Sequence, residues 1–345
     1  MELEELKLRQ LGGQHLLRRA EPLTVVRDLC GLQAQFLSNA LHSLRIRSGS
    51  DCLDGLVKNW TIRGTVHVFA AEDLPLFLHE GRSHFLRPRD TLDGDDCITK
   101  ERKRYFADLI VECVAMGVDT REDLKATCTA AGLTERESES VFDPWGGTIR
   151  ALCENGTLCH KVQEKKAFML CQTFEPMERD AAELELARRY FIHYGPATVK
   201  DAAYFFGTTQ TRVKGWLAKL PVTTAEWDGR TYYYLDEPRD RADVPACLFL
   251  AGFDPLMLGY EKKESLYLPA ENLRGIFNLA GIVMPAILLR GRVVGRWKRK
   301  GRSLEVTLFE PLTDGDECLL EETAQSLWPG VRLVPAAGTA LQSTS

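Results

Sequence analysis

Two glutamines separated by one residue, Gln33 and Gln35, stand in the segment Gly31-Leu32-Gln33-Ala34-Gln35. On a helix, side chains two residues apart diverge by about 200°, whereas on an extended backbone they share a face. Gly31 suits the end of one helix and Ser38 the cap of the next, which leaves an extended stretch between them. Both amides could then line one pocket. The spacing equally describes a solvent-exposed or backbone-bonding pair. Glutamine has no useful pKa, so a pocket built on two of them would orient water and dipoles rather than accept protons as a general base.

The most cationic window holds Arg290, Arg292, Arg296, Lys298, Arg299, Lys300 and Arg302 and no acid. Alternate residues of a hairpin share a face, so several of these could meet one DNA backbone, each neutralised phosphate adding affinity by counterion release. Gly291 and Gly295 would allow the tight turn such a hairpin needs, and a solvated surface hairpin is the plainer alternative. Arg63 and His67, four apart in a strand-like stretch, are expected on one face, either as phosphate contacts or as structural hydrogen bonds of a hairpin.

Other chemistries find little support. The remaining histidines, His15, His42, His79, His84, His160 and His193, show no metal-ligand spacing. Asp93-Gly94-Asp95-Asp96 lacks the full calcium-loop pattern and its closing glutamate. No phosphate-cradling Gly-Lys-Ser/Thr motif or dinucleotide fingerprint is present, so neither a metal nor a cofactor is expected. The ten cysteines form no C-x-x-C pair, and Cys153 and Cys159 have no zinc-finger partners. They are expected as buried thiols in a reducing compartment.

The elements that must position these residues follow one plan three times: short helices, then a pair of strands. Leu3–Leu11, residues 23–30 and a helix from Ser38 to about Arg47 precede strand-like residues from Trp60 to Phe69. Lys103–Ala115 and two helices begun by Thr120 with Asp123 and by Thr134 with Glu137 precede Thr157–Val162 and Ala167–Cys171. Ala181–Tyr194, a helix carrying Val199, Ala202, Ala203 and Phe206, and another carrying Val213, Trp216, Leu217 and Leu220 precede strands flanking Asp228-Gly229. Short helices followed by a two-stranded wing describe a winged helix-turn-helix. After Pro238 strand-like runs at Cys247–Ala251, Val283–Leu289, Val293–Trp297 and Leu304–Phe309 predict a small antiparallel sheet or barrel, then a helix near 315–327 and a loose tail.

Composition is that of a globular protein, 44% hydrophobic and 27% charged, with net charge −5. The acidic balance argues against non-specific coating of DNA but leaves room for local phosphate contact. No apolar run reaches the roughly 18 residues of a membrane helix, and the acidic start lacks signal-peptide character. A soluble, cytoplasmic protein without membrane contact is expected.

The segment Gly31-Leu32-Gln33-Ala34-Gln35, followed by Trp60-Thr61-Ile62-Arg63-Gly64-Thr65-Val66-His67, resembles the AlkZ/YcaQ family of winged-helix DNA glycosylases. The likeness continues, in order, through Gly195-Pro196-Ala197-Thr198-Val199-Lys200-Asp201, the stretch Gly252–Gly259 and the stretch Pro285–Trp297. The resemblance implies an α+β chain of three tandem winged-helix modules, over 1–98, 99–176 and 177–238, followed by a C-terminal β-barrel over 239–345. It implies that Gln33 and Gln35 form the catalytic motif, of the Gln–Gln branch that acts on bulky alkyl lesions and interstrand cross-links. It also maps a basic hairpin used on cross-links to the stretch around Arg292–Arg302.

The implied partner is double-stranded DNA with alkylated or cross-linked purines, bound by a monomer. An N7- or N3-alkylated purine is already cationic and leaves as a neutral molecule, so amides that place water and stabilise an oxocarbenium-like sugar would suffice. Asp254 and Gly259 are expected to be a turn. Two alternatives compete: a non-catalytic winged-helix transcription regulator, and a protein-interaction scaffold. A regulator has no use for both glutamines in one pocket, and a scaffold does not account for the Arg290–Arg302 cluster.

Overall fold

The structure is a computed structural model in which residues 1–81, 87–237 and 243–335 are described. His84, the boundary expected at 238 and the tail ending at Ser345 lie outside the described residues. The fold is mixed α+β. Met1–Leu32, Asn39–Asp51 and Ala187–Ser345 form a first unit, and Gln33–Ser38 and Cys52–Leu186 form a second.

Helix α1 (Leu3–Gly13) buries Leu6 and Leu11. It runs two residues past the expected Leu11, through Gly12 and Gly13. Gly13 is needed for close approach, because a Cβ there would come within 2.3 Å of the His193 carbonyl oxygen. Helix α2 (Pro22–Asp28) starts on a proline, whose fixed φ and missing N–H suit a first turn. Gly31, at φ 82°, redirects the chain into strand β1 (Leu32–Gln33). Helix α3 (Leu37–Ser48) begins one residue ahead of the expected Ser38 cap. Strands β2 (Leu56–Trp60) and β3 (Val66–Ala70) pair antiparallel. The strand-like stretch from Trp60 to Phe69 is divided by a 3-10 turn at Ile62–Gly64, which contains the glycine suited to a bulge or turn there. A short helix α4 (Leu74–Phe77) follows.

Helix α5 (Lys100–Ala115) begins three residues before the expected Lys103, and α6 (Arg121–Ala130) and α7 (Glu135–Val141) stand where the capping signals place them. Thr120 accepts from the Asp123 N–H, and Thr134 with Glu137 makes both bonds of a capping box. Helix α8 (Thr148–Glu154) leaves no trace in hydrophobic periodicity because all seven of its residues are buried. Strands β4 (Leu158–His160) and β5 (Phe168–Leu170) pair with each other, and β4 also pairs with β2. The first two expected wings therefore share one five-stranded sheet, ordered β1-β3-β2-β4-β5. Asn59, fully buried on β2, ties this sheet to α8 by donating to the Cys153 carbonyl at 3.0 Å. Helix α9 (Arg179–His193) leads out of this region.

Helix α10 (Val199–Phe206) has a Thr198–Asp201 capping box and ends at left-handed Gly207. Helix α11 (Gln210–Leu217) precedes strands β6 (Thr223–Trp227) and β7 (Arg230–Tyr234). Asp228 and Gly229, both at positive φ, make the Asp-Gly turn that a two-residue hairpin requires. Then come β8 (Cys247–Phe249), the short helices α12 (Pro255–Leu258) and α13 (Leu273–Ile276), and strands β9 (Ala286–Leu289), β10 (Arg292–Lys300) and β11 (Ser303–Leu308). Helix α14 (Asp314–Leu327) and strand β12 (Arg332–Pro335) complete the described chain.

Among the described residues the expected C-terminal barrel is not closed. Its five strands form an open sheet, β12-β11-β10-β9-β8, with β8 and β12 at the edges. Strand β12 runs parallel to β11, a return that needs a crossover, here α14. That helix covers the sheet: Leu320 and Ala324 share one core with Phe249, Ile287, Trp297 and Leu304. The helix fills the space that a barrel would have enclosed with its own strands.

Asp254, expected as a turn residue, anchors the first unit. Both it and Arg47 have fully buried side chains. Arg47 donates to the two Asp254 oxygens at 2.7 and 3.0 Å, and to the carbonyls of Gln14 and Ser43. Asp254 also accepts from Ser43 Oγ and caps α12 through the Leu256 N–H. Burial alone would raise its pKa, but Arg47 and these donors hold it below the usual carboxylate value. The contribution of a depressed acid is complete above its unfolded value of about 4 and is lost as pH falls through the lower folded value. Asp254→Ala leaves a buried guanidinium unpaired and should cost about 3–5 kcal/mol, read as a lower urea midpoint at neutral pH. An unchanged midpoint would show that the pair is dispensable.

Candidate active site

The local backbone around the glutamines is fixed by strand pairing. The Ala34 N–H donates to the Val66 carbonyl at 2.7 Å, so the segment is extended and joins the edge of the sheet beside β3. The expected extended conformation is present over residues 32–34 but gives way to a bend at Gln35, and the two side chains occupy different environments. Gln33 is 8% exposed, whereas Gln35 lies on the bend after β1 and is exposed. Phe36, the next residue, is 42% exposed, an aromatic surface that polarity patterns do not single out.

Above Gln33 sits Arg63, whose Nη2 donates to the Gln33 Oε1 at 3.4 Å, a long hydrogen bond. Arg63 is not on a strand. It stands in the Ile62–Gly64 turn at φ 56°, and Gly64 follows at φ 63°. The expectation that Arg63 and His67 share a strand face therefore fails, because the turn reverses the chain between them. His67 lies on β3, is 4% exposed and faces the Thr65 carbonyl through Nδ1 at 3.1 Å. Its position fits the structural alternative.

Helix α3 obtains its N-terminal partner from a distance. The Ser38 N–H donates to Glu164 Oε2 at 3.1 Å, which places a carboxylate at the electropositive helix start. Glu164 belongs to the polar turn between β4 and β5, and nothing near Gln35 in sequence reports it.

The cationic window is not one hairpin. Arg290, at φ 47°, and Gly291, at φ 73°, turn β9 into β10, while Gly301 and Arg302 turn β10 into β11. Eight residue steps separate Arg292 from Lys300, about 26 Å of strand. Gly295 makes no turn. It sits inside β10 at a register shift, where a Cβ would meet the Thr307 carbonyl oxygen at 2.5 Å. Several cations are already engaged: Arg290 with Asp316 at 3.0 Å, Arg292 with Glu310 at 3.2 Å and Lys300 with Glu305 at 3.0 Å. Arg299 lies over the Trp328 ring, 5.6 Å from its centroid. Among the described residues, Arg296, Lys298 and Arg302 have no carboxylate within ion-pair distance, and Lys298 and Arg302 are exposed. The charge open to a polyanion thus gathers at the β10–β11 end.

The other ligand-type residues divide clearly. His42 is a core residue, its ring facing the Phe249 carbonyl at 2.7 Å and stacked on Trp328, and burial pushes its pKa down. Burial also lowers His160 to about 3, so it is a neutral ring between Trp60 and Phe168. Asp95, from the stretch resembling a calcium loop, is committed to Lys103 at 3.1 Å and to Ser140. The ten cysteines are free, six of them buried. Sequence spacing separates His15 from His193, yet the fold brings both to Asp28.

The AlkZ-like DNA glycosylase family model matches residues 26–328, and the chain belongs to that family. Members are hydrolases of N-glycosyl bonds. A curated relative from Streptomyces sahachiroi, an "Interstrand DNA cross-link repair glycosylase", is 26% identical over 330 positions, covering 87% of this chain and 88% of the relative. The solved structure of the Streptomyces sahachiroi DNA glycosylase AlkZ superposes with a TM-score of 0.74 at 24% identity, covering 97% of this chain and 99% of that one. The likeness supports the mixed α+β fold.

Arg63 discriminates between a strained functional position and a structural turn. Glycine adopts the left-handed region without the roughly 1 kcal/mol paid by other residues. Arg63→Gly should leave unfolding free energy within about 1 kcal/mol of the parent while weakening duplex DNA binding about tenfold, measured by urea denaturation and fluorescence anisotropy. A large stability loss with unaltered binding would assign Arg63 to the turn alone.

Proposed function

We propose that this chain hydrolyses the N-glycosidic bond of purines alkylated at N7 or N3 in double-stranded DNA, including purines held in interstrand cross-links. Family membership supports the reaction class, and the cross-link repair name of the curated relative supports bulky, cationic adducts. The observation that carries the reading is the extended 32–34 segment at a sheet edge followed by a bend, with the Gln33 amide bonded to an arginine and Gln35 in solvent.

In this reading Gln35 meets the lesion first and Gln33 is uncovered by Arg63. A hydrogen bond of 3.4 Å to an uncharged amide is weak, whereas a guanidinium–phosphate contact is shorter, pairs opposite charges and can be bidentate. A DNA phosphate arriving near the turn draws Arg63 away, and the Gln33 carbonyl oxygen becomes available to water. The two amide oxygens then accept hydrogen bonds from one water and orient it toward C1′ of the damaged nucleotide, and once that water has added to the sugar its surplus proton passes to solvent. Their dipoles face the positive charge developing on the sugar, and the alkylated base departs as a neutral molecule. No proton need be taken by a side chain in the bond-breaking step. Phe36, beside Gln35, offers a stacking surface to an exposed base.

The three-module winged-helix description, with boundaries near 98, 176 and 238, is retained as a proposal for how DNA is held. The helix–helix–hairpin order of α10, α11, β6 and β7 is its most direct support. The cations at the β10–β11 end, Arg296, Lys298 and Arg302, are proposed as phosphate contacts; His67, Arg290, Arg292, Arg299 and Lys300 are secondary to them. A monomer acting without a cofactor in the reaction completes the proposal. No helix among the described residues is long and apolar enough to cross a membrane.

The test is base release from duplexes carrying 7-methylguanine or an N7–N7 purine cross-link, measured under single-turnover conditions. Gln33→Ala and Gln35→Ala should each slow release by about 10²–10³, the cost of losing one oriented dipole in an active site, without altering duplex affinity. Unchanged rates in both variants would remove the catalytic assignment. No release by the parent from either duplex would leave a DNA-binding protein without this activity.

A further inference from the structure

We propose that His15, Asp28 and His193 form a site for a divalent transition-metal ion of the zinc class, joining three helix ends within the first unit. Asp28 is the last residue of α2, His193 is the last of α9, and His15 follows two residues after α1. Helix C-termini carry partial negative charge, so three of them meeting at one point favour a cation. The candidate ligand atoms all lie within 4.8 Å of one another.

The hydrogen-bonding geometry asks for a positive charge. His193 faces the Gly13 carbonyl through Nδ1 at 3.2 Å and an Asp28 oxygen through Nε2 at 3.4 Å. Both partners are acceptors, and a neutral imidazole has only one N–H. A proton on Nδ1, donated to a backbone carbonyl, is the arrangement that fixes the tautomer of metal-binding histidines and aims the Nε2 lone pair at the ion. Without a cation, that lone pair would confront a carboxylate. The 3.4 Å separation is long for a hydrogen bond but matches two ligand atoms across a tetrahedral ion with bonds of about 2.0 Å, roughly 3.3 Å apart.

His15 adds a second, independent sign. It stands at φ 58° just past α1, with the Leu16 N–H bonded to the Leu11 carbonyl at 3.0 Å. Glycine is the usual residue at this left-handed position, and here a histidine occupies it and directs Nε2 to Asp28 Oδ2 at 2.7 Å. Side-chain exposures of 16%, 24% and 14% for His15, Asp28 and His193 let an ion enter and water complete its coordination. On binding, any proton between His15 and Asp28 is released to solvent and each imidazole contributes a lone pair. Two imidazoles and one carboxylate suit zinc better than calcium or magnesium, which prefer oxygen alone.

The test uses full-length protein stripped by a chelator, with exposed Cys52 and Cys318 replaced by serine so that thiols do not compete. Titration with Co(II) should give one bound equivalent with a visible band and no thiolate charge transfer, and Zn(II) should displace it and raise Tm. His15→Gly removes a ligand at a position glycine favours, so it should fold as well as the parent without metal yet lose at least about 100-fold in affinity; Asp28→Asn should do the same. Failure to bind, a sulfur-ligated spectrum, or full affinity in both variants would overturn the proposal.

Discussion

One backbone hydrogen bond governs the geometry around the glutamines. By donating to Val66, the Ala34 N–H holds residues 32–34 extended at the edge of a sheet. The same pairing brings Gln33 beneath the Ile62–Gly64 turn that leads into β3, where the Arg63 side chain covers its amide. Were this stretch helical, Gln33 and Gln35 would diverge and Arg63 would have no amide to meet. The chemistry proposed for the site therefore depends on a local choice between strand and helix, made by Gly31 at positive φ on one side and α3 on the other.

That choice is legible in the sequence because glycine at a helix end and a motif of alternating glutamines both report backbone conformation. Capped helices are legible for the same reason: Thr120 and Thr134 each satisfy an N–H that lies within three residues. Features that depend on distant partners are not. Helix α8 is buried on every side and carries no stripe, and β12 is a strand only because α14 returns it beside β11. Gly64 signals a turn between β2 and β3, but nothing local shows that the backbone of Arg63 also crosses to positive φ.

Charge shows the same limit. A run of cations in sequence suggested one basic hairpin, but β10 is long enough to place its members at two turns. Acids remote in sequence, Asp316, Glu310 and Glu305, then neutralise part of the run. Local composition shows the supply of charge, and the tertiary structure decides how much of it faces outward. Asp254 is the complementary case: within a motif that reads as a turn, it proves to be the buried counter-ion of Arg47.

The proposed chemistry needs only two uncharged amides, because the damaged purine supplies the positive charge. Its most direct measurement is the single-turnover rate of 7-methylguanine release between about pH 5.5 and 8.5, a window that spans the ordinary histidine value near 6.5. Neither a glutamine nor an arginine titrates there, so the account predicts a flat profile. A rate that rises through an inflection as a group loses its proton would mean that a general base does the work, and would contradict it.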